Sequence, residues 1–133
     1  MMSYVFIGSN DVSTSEKFYE AVLFPLGYIK DVENEQLIFS LPDIPDRHNG
    51  PGAVFIAKPW NGEPALPGNG TMPGFRAPGR HIVEQIYRAG LLEGGTSEGQ
   101  PGIRERYSRN FYVAYLRDPD GNKLAFFCTG KED

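Results

Sequence analysis

The apolar positions of this chain fall into short runs of strand length and two stripes at helical spacing, punctuated by clusters of Gly, Pro and Asp. Tyr4 to Gly8 is the first strand. Ser13 then opens a helix, because Ser13-Thr14-Ser15-Glu16 has the S-x-x-E form in which side chains satisfy the free amides of a first turn. Phe18, Tyr19, Val22, Leu23 and Leu26 recur at helical spacing and give that helix one buried face, which Gly27 ends. Tyr28 to Val32, Leu37 to Ser40 and Ala53 to Lys58 are three more strand-like runs. From Pro59 through Gly70 there are too many Gly and Pro residues for a helix or an interior strand, so a loop separates the two halves.

The second half repeats the order. Thr71 to Arg76 reads as a strand, and Pro78 suits the first turn of a helix. Ile82, Val83, Ile86 and Tyr87 form that helix's apolar stripe before Gly94-Gly95 stops it. Gly99-x-Pro101-Gly102 reads as a turn and Arg104 to Tyr107 as a strand. Phe111 to Leu116 and Leu124 to Phe127 then flank Asp118-Pro119-Asp120-Gly121-Asn122. In that turn proline fixes one corner, the aspartates bind local amides, and Gly121 takes the positive φ that closes a hairpin.

The expected architecture is therefore α+β: one domain over 1–133, with a first βαβββ module over 1–58, a linker over 59–69 and a second module over 70–133. One such module alone would expose one face of its sheet, so two must pair, giving a curved sheet around a cavity.

At 133 residues, with 40% hydrophobic and 23% charged positions, the chain can bury a real core. A net charge of -4 without a basic run argues against nucleic acid as a partner. No apolar stretch suits a membrane. The single cysteine, Cys128, excludes an internal disulfide, and the start of the chain has no basic region followed by an apolar run, so a cytoplasmic location is expected.

Three segments in order, S-N-D-V-S-T-S-E-K-F-Y-E-A-V-L-F-P-L-G-Y, G-G-T-S-E-G-Q-P-G-I-R and D-P-D-G-N, resemble the glyoxalase/bleomycin resistance/extradiol dioxygenase superfamily, the vicinal oxygen chelate proteins, and most of all its small glyoxalase-like members. The resemblance spans nearly the whole chain. It implies an incompletely closed eight-stranded barrel with outer helices, and in metal-dependent relatives two His and one Glu on the first strand of each half and the last strand. Those positions correspond here to Tyr4, Met72 and Ala125. A phenol, a thioether and a methyl group do not make a hard-metal site, so no metal and no cofactor are expected.

Neither histidine supplies a substitute. His48, near Asp43 and Asp46 in a loop containing Pro42 and Pro45, reads as a solvated residue, and His81 as a helix surface residue. Alternation groups Tyr4, Phe6 and Gly8; Met72, Gly74 and Arg76; and Lys123, Ala125 and Phe127 on the faces that the resemblance directs toward the cavity. These side chains either fill the space as plain core or form a pocket for a hydrophobic or aromatic molecule, with Arg76 available to bind a carboxylate or stack on a ring.

Trp60 is read as pinning its loop to the barrel, the other role being a lid. Arg104-Glu105-Arg106 reads as a solvated strand edge; Tyr107 and Tyr115 fit either a pocket or a surface. Cys128 reads as a buried inert thiol.

The expected pocket set is Tyr4, Phe6, Met72, Arg76, Ala125, Phe127, Trp60 and Tyr107. The expected function is a metal-free small-molecule binding protein, assembled as a homodimer. The alternatives are a divalent-metal-dependent or metal-independent lyase, isomerase or dioxygenase, and a structural module with a filled barrel.

Overall fold

The computed structural model describes residues 1–131. Strand β1 (Tyr4–Gly8) leads into helix α1 (Val12–Leu23), which is followed by a 3-10 turn at Phe24–Leu26 and by strands β2 (Ile29–Glu33), β3 (Gln36–Ser40) and β4 (Ala53–Ala57). Residues 58–73 carry no helix or strand. The second module then runs through β5 (Gly74–Arg76), α2 (Arg80–Leu92), β6 (Thr96–Ile103), β7 (Tyr112–Arg117) and β8 (Lys123–Cys128).

Each module forms a four-stranded sheet, ordered β1-β4-β3-β2 in the first and β5-β8-β7-β6 in the second. The first and last strands of each module pair in parallel, Tyr4 lying opposite Ala53 and Gly74 opposite Ala125. The remaining pairs are antiparallel. β1 and β5 are edge strands without hydrogen bonds between them, so the two sheets do not close into a barrel.

Period-two alternation decides which side chains reach the core. Val5 and Ile7 of β1 and Leu124 and Phe126 of β8 pack on the helix-bearing faces, while Tyr4, Phe6 and Phe127 take the opposite ones. On α1, Phe18, Tyr19, Val22 and Leu23 are fully buried, and they share one core with Leu37, Phe39 and Ile56 of the first sheet and Phe75, Ile86, Leu116 and Phe126 of the second module. At about 1.5–3 kcal/mol per large side chain, this common core outweighs any local preference in the fold.

Several sequence expectations are corrected here. The cap of α1 is Asp11, whose carboxylate accepts from the Thr14 amide, and Glu16 turns instead to Lys30 across the sheet. Gly79, not a first-turn Pro78, caps α2. β5 begins only at Gly74, so Met72 precedes the strand. The Gly99-Pro101-Gly102 segment lies inside β6, and Arg104 to Tyr107 is a turn. Being the sheet's edge strand, β6 tolerates Pro and Gly because one side of its backbone needs no ladder partner, and its two register shifts, between Ser97 and Gly99 and between Gly99 and Gly102, absorb them.

Candidate functional site

The D-P-D-G-N turn between β7 and β8 closes as its residue types require, with Gly121 at φ 91. Its side chains reach into the other module. Asp118, only 4% exposed, accepts from the amides of Asp120 and Asn122 at Oδ1 and from the Tyr19 hydroxyl, at 2.5 Å, and the Asn122 side chain at Oδ2. Asp120 accepts from the Asn10 amide and the Ser15 hydroxyl, which in turn meets the Ser9 hydroxyl at 2.6 Å. Burial, then the neighbouring Asp118 carboxylate, pushes the Tyr19 phenol well above its ordinary pKa, so it stays a donor. The network is a structural stitch, and sequence reasoning could not see it because its partners lie about a hundred positions apart.

Where the sheet edges β1 and β5 approach, a cleft of about 350 Å³ opens, walled by Tyr4, Val54, Tyr28, Met72, Gly74 and Phe75. Tyr4 stands edge-on to Phe55 with ring centroids 5.1 Å apart, and Tyr28, edge-on to Phe75, donates its hydroxyl to the Gly52 carbonyl at 2.6 Å. Burial raises the pKa of Tyr28 as well. Tyr28 and Phe75 were not anticipated as pocket residues; they appeared only as the start of one strand and the middle of another.

Of the eight expected pocket residues, the structure brings Tyr4 and Met72 into this cleft and leaves the others elsewhere. Arg76, Phe127 and Tyr107 join a different assembly on the second sheet. The Arg76 guanidinium lies 4.8 Å from the Phe127 ring centre and donates to the Thr129 hydroxyl. Phe127 packs against Phe111, and Phe111 against Tyr107. Arg104 and Lys123 both lie over the Tyr115 ring. Arg104 folds back to donate to the Gln100 carbonyl from just beyond the end of β6, outside the strand expected there. Ala125 is buried, its amide donating to the Pro73 carbonyl.

Phe6 and Trp60 line a separate cavity of about 720 Å³ at the far end of the first sheet. Trp60 is 98% exposed, which overturns the expectation that it pins its loop: among the described residues nothing packs over the indole. His48 is likewise corrected. It sits in a 3-10 turn, half-buried, with Nε2 2.9 Å from Asp31, which Arg47 also holds below the usual carboxylate range. Local sequence hid this because Asp31 belongs to β2. His81 is exposed on α2, as expected.

The metal set of the metal-dependent relatives does not fit this chain. Tyr4 and Met72 offer a phenol and a thioether at the cleft and Ala125 offers no donor, a combination that matches no hard divalent cation. Among the described residues, no group of three or more His, Cys, Asp or Glu side chains is placed to hold a metal ion.

Two βαβββ modules with a cleft where their first strands approach define a paired-module α+β protein. The chain matches a glyoxalase/bleomycin resistance protein from Albidiferax ferrireducens T118 with a TM-score of 0.82 at 36% identity, over 96% of this chain and 98% of that one. It therefore belongs to the glyoxalase/bleomycin resistance protein/dioxygenase superfamily. The fold is shared with a glyoxalase-related enzyme from Fulvimarina pelagi (TM-score 0.71, 15% identity, covering 96% and 87% of the two chains) and a superfamily enzyme from Burkholderia phytofirmans PsJN (0.68, 16%, 97% and 98%). No protein-family model and no functionally curated protein matches the chain.

Proposed function

We propose that the protein is a metal-free small-molecule binding member of its superfamily, which takes an apolar or aromatic ligand in the cleft between β1 and β5. The observation that carries this reading is the cleft wall: Tyr4 and Met72, which the resemblance sets at the ligand positions of metal-dependent relatives, make with Tyr28 and Phe75 an apolar space of about 350 Å³, within the size range of ligand pockets. An aromatic ring can stack on Tyr4 while the soft Met72 side chain adapts to its edge.

The half-exposed apolar side chains of β1, Tyr4 at 53% and Phe6 at 47%, favour a second copy of the chain as the natural cover, so the homodimer belongs to the same proposal.

The test has two parts. Elemental mass spectrometry after dialysis against Ni, Zn, Mn and Fe(II) in turn, then metal-free buffer, is expected to find no retained metal; about one per chain would overturn the proposal. A library of neutral aromatic compounds is then expected to give saturable binding that Tyr4→Ala weakens by about tenfold, corresponding to the loss of one stacking contact with its buried area.

A further inference from the structure

We propose that the cavity of about 720 Å³ beside Trp60 is a second binding site, built for an organic cation that carries an apolar or aromatic group. It is separate from the cleft between the sheets: Trp60, Phe6, Val32 and Leu37 line it, and Tyr4 and Met72 do not.

Its walls have two characters. The apolar part leaves large side chains in water, with Trp60 98% and Val32 59% exposed. Among the described residues no ring or cation contacts Trp60, whereas Arg76, Arg104, Arg106 and Lys123 all lie over rings of the second module. An open indole face is the strongest side-chain acceptor for a cation.

The charged part of the wall holds three carboxylates, Asp11, Glu16 and Glu35, against one ammonium, Lys58. Glu16 is engaged by Lys30. Asp11 accepts at Oδ1 from the Ser13 hydroxyl and the Thr14 amide, and these bonds, with the Thr14 side chain, hold it below the usual carboxylate range, so it stays ionised. Glu35 stands at φ 63 in the β2–β3 turn, a conformation that glycine adopts more easily, and its carboxylate makes no hydrogen bond or ion pair among the described residues.

An anion is disfavoured here. The first amides of α1 are occupied by Asp11, and residues 1–73 carry nine Asp and Glu against four Lys and Arg, a net charge of -5, while residues 74–131 carry nine Lys and Arg against six acids, a net charge of +3. A cation is drawn to the first half by the field of the whole module.

Trp60 is the chain's only tryptophan, so its emission reports on this cavity alone. The experiment titrates the intact protein with benzyltrimethylammonium, with neutral benzyl alcohol and with phenylmethanesulfonate. The cation is expected to shift Trp60 emission saturably, with the alcohol and the sulfonate binding about tenfold more weakly or not at all. The double variant Asp11→Asn/Glu35→Gln, which keeps the helix cap because Asn caps as well as Asp, is expected to weaken the cation by about tenfold while the protein stays folded by circular dichroism. Calorimetry on Trp60→Ala is expected to find the same loss without relying on the reporter.

Equal binding of the alcohol, unchanged affinity in the double variant, or no saturation by the cation overturns the proposal. Tyr4→Ala is expected to leave cation binding intact. If it abolishes that binding, the cation sits in the cleft, and this second site falls while the first stands.

Discussion

The Tyr19 hydroxyl carries more of this fold's stability than its place on a helix announces. Asp118 is buried and needs all its donors, so Tyr19→Phe is expected to cost about 1.5–3 kcal/mol in urea unfolding, the range for a hydrogen bond to a charged group. Its raised pKa also sets an alkaline limit. The native state holds the phenolic proton more tightly than the unfolded chain, so this stabilisation is complete below about pH 10 and drains as pH climbs above it; the phenylalanine variant should lose that part of the profile. On the acid side the sign reverses. Asp11, Asp31 and Glu98 are all held below their ordinary values, chiefly by Ser13, Arg47 and Arg117 respectively, so the native state binds fewer protons there than the unfolded chain. Stability should be full above about pH 5 and fall as the solution is acidified through the carboxylate range. At this scale the sequence was readable where a residue acts on its own neighbours, as Gly121 does, and unreadable where the partner is remote. Asp31 beneath His48, Lys30 beside Glu16 and Asp118 beneath Tyr19 are all contacts between different elements, and no local spacing encodes them.

Helices α1 and α2 approach closely at Gly90. A methyl group there would stand 2.6 Å from Leu116 and 3.1 Å from Val22, both fully buried. Gly90→Ala, a change that favours an isolated helix, is therefore expected to destabilise this protein by about 1–3 kcal/mol through overpacking, measurable as a lower midpoint of thermal unfolding. The elements themselves were largely legible: both helical stripes and the final hairpin follow from period and turn chemistry. β6 was not, because its glycines and proline carry the signature of a turn, and only the sheet-edge position with two register shifts makes them compatible with a strand. The cap of α1 was misassigned for a related reason. Asp11 and Ser13 are both good capping types two positions apart, and it is Asp11 that takes the extended backbone and accepts the Thr14 amide.

For the molecule as a whole, the sequence motifs carried the family and the α+β architecture, while the site came through only in part. Tyr4 and Met72, grouped by a motif, do line one cleft; Arg76, Phe127, Tyr107 and Trp60 were grouped with them by facing or by loop position and lie elsewhere, because facing does not say how far apart two sheets stand. The exposed loop over 58–73 joins the modules, yet what unites them is the single core beneath both helices and the turn whose aspartates hold Tyr19, Ser15 and Asn10. The covalent link is then nearly redundant once folding is complete. Limited proteolysis at Asn61 to Gly70 should produce two fragments that migrate as one native particle and separate only in denaturant, and either fragment made alone should expose half a core and aggregate. The repeat is thus one of topology and not of autonomy: neither half can be lost, exchanged or mutated at its inner face without the other registering the change.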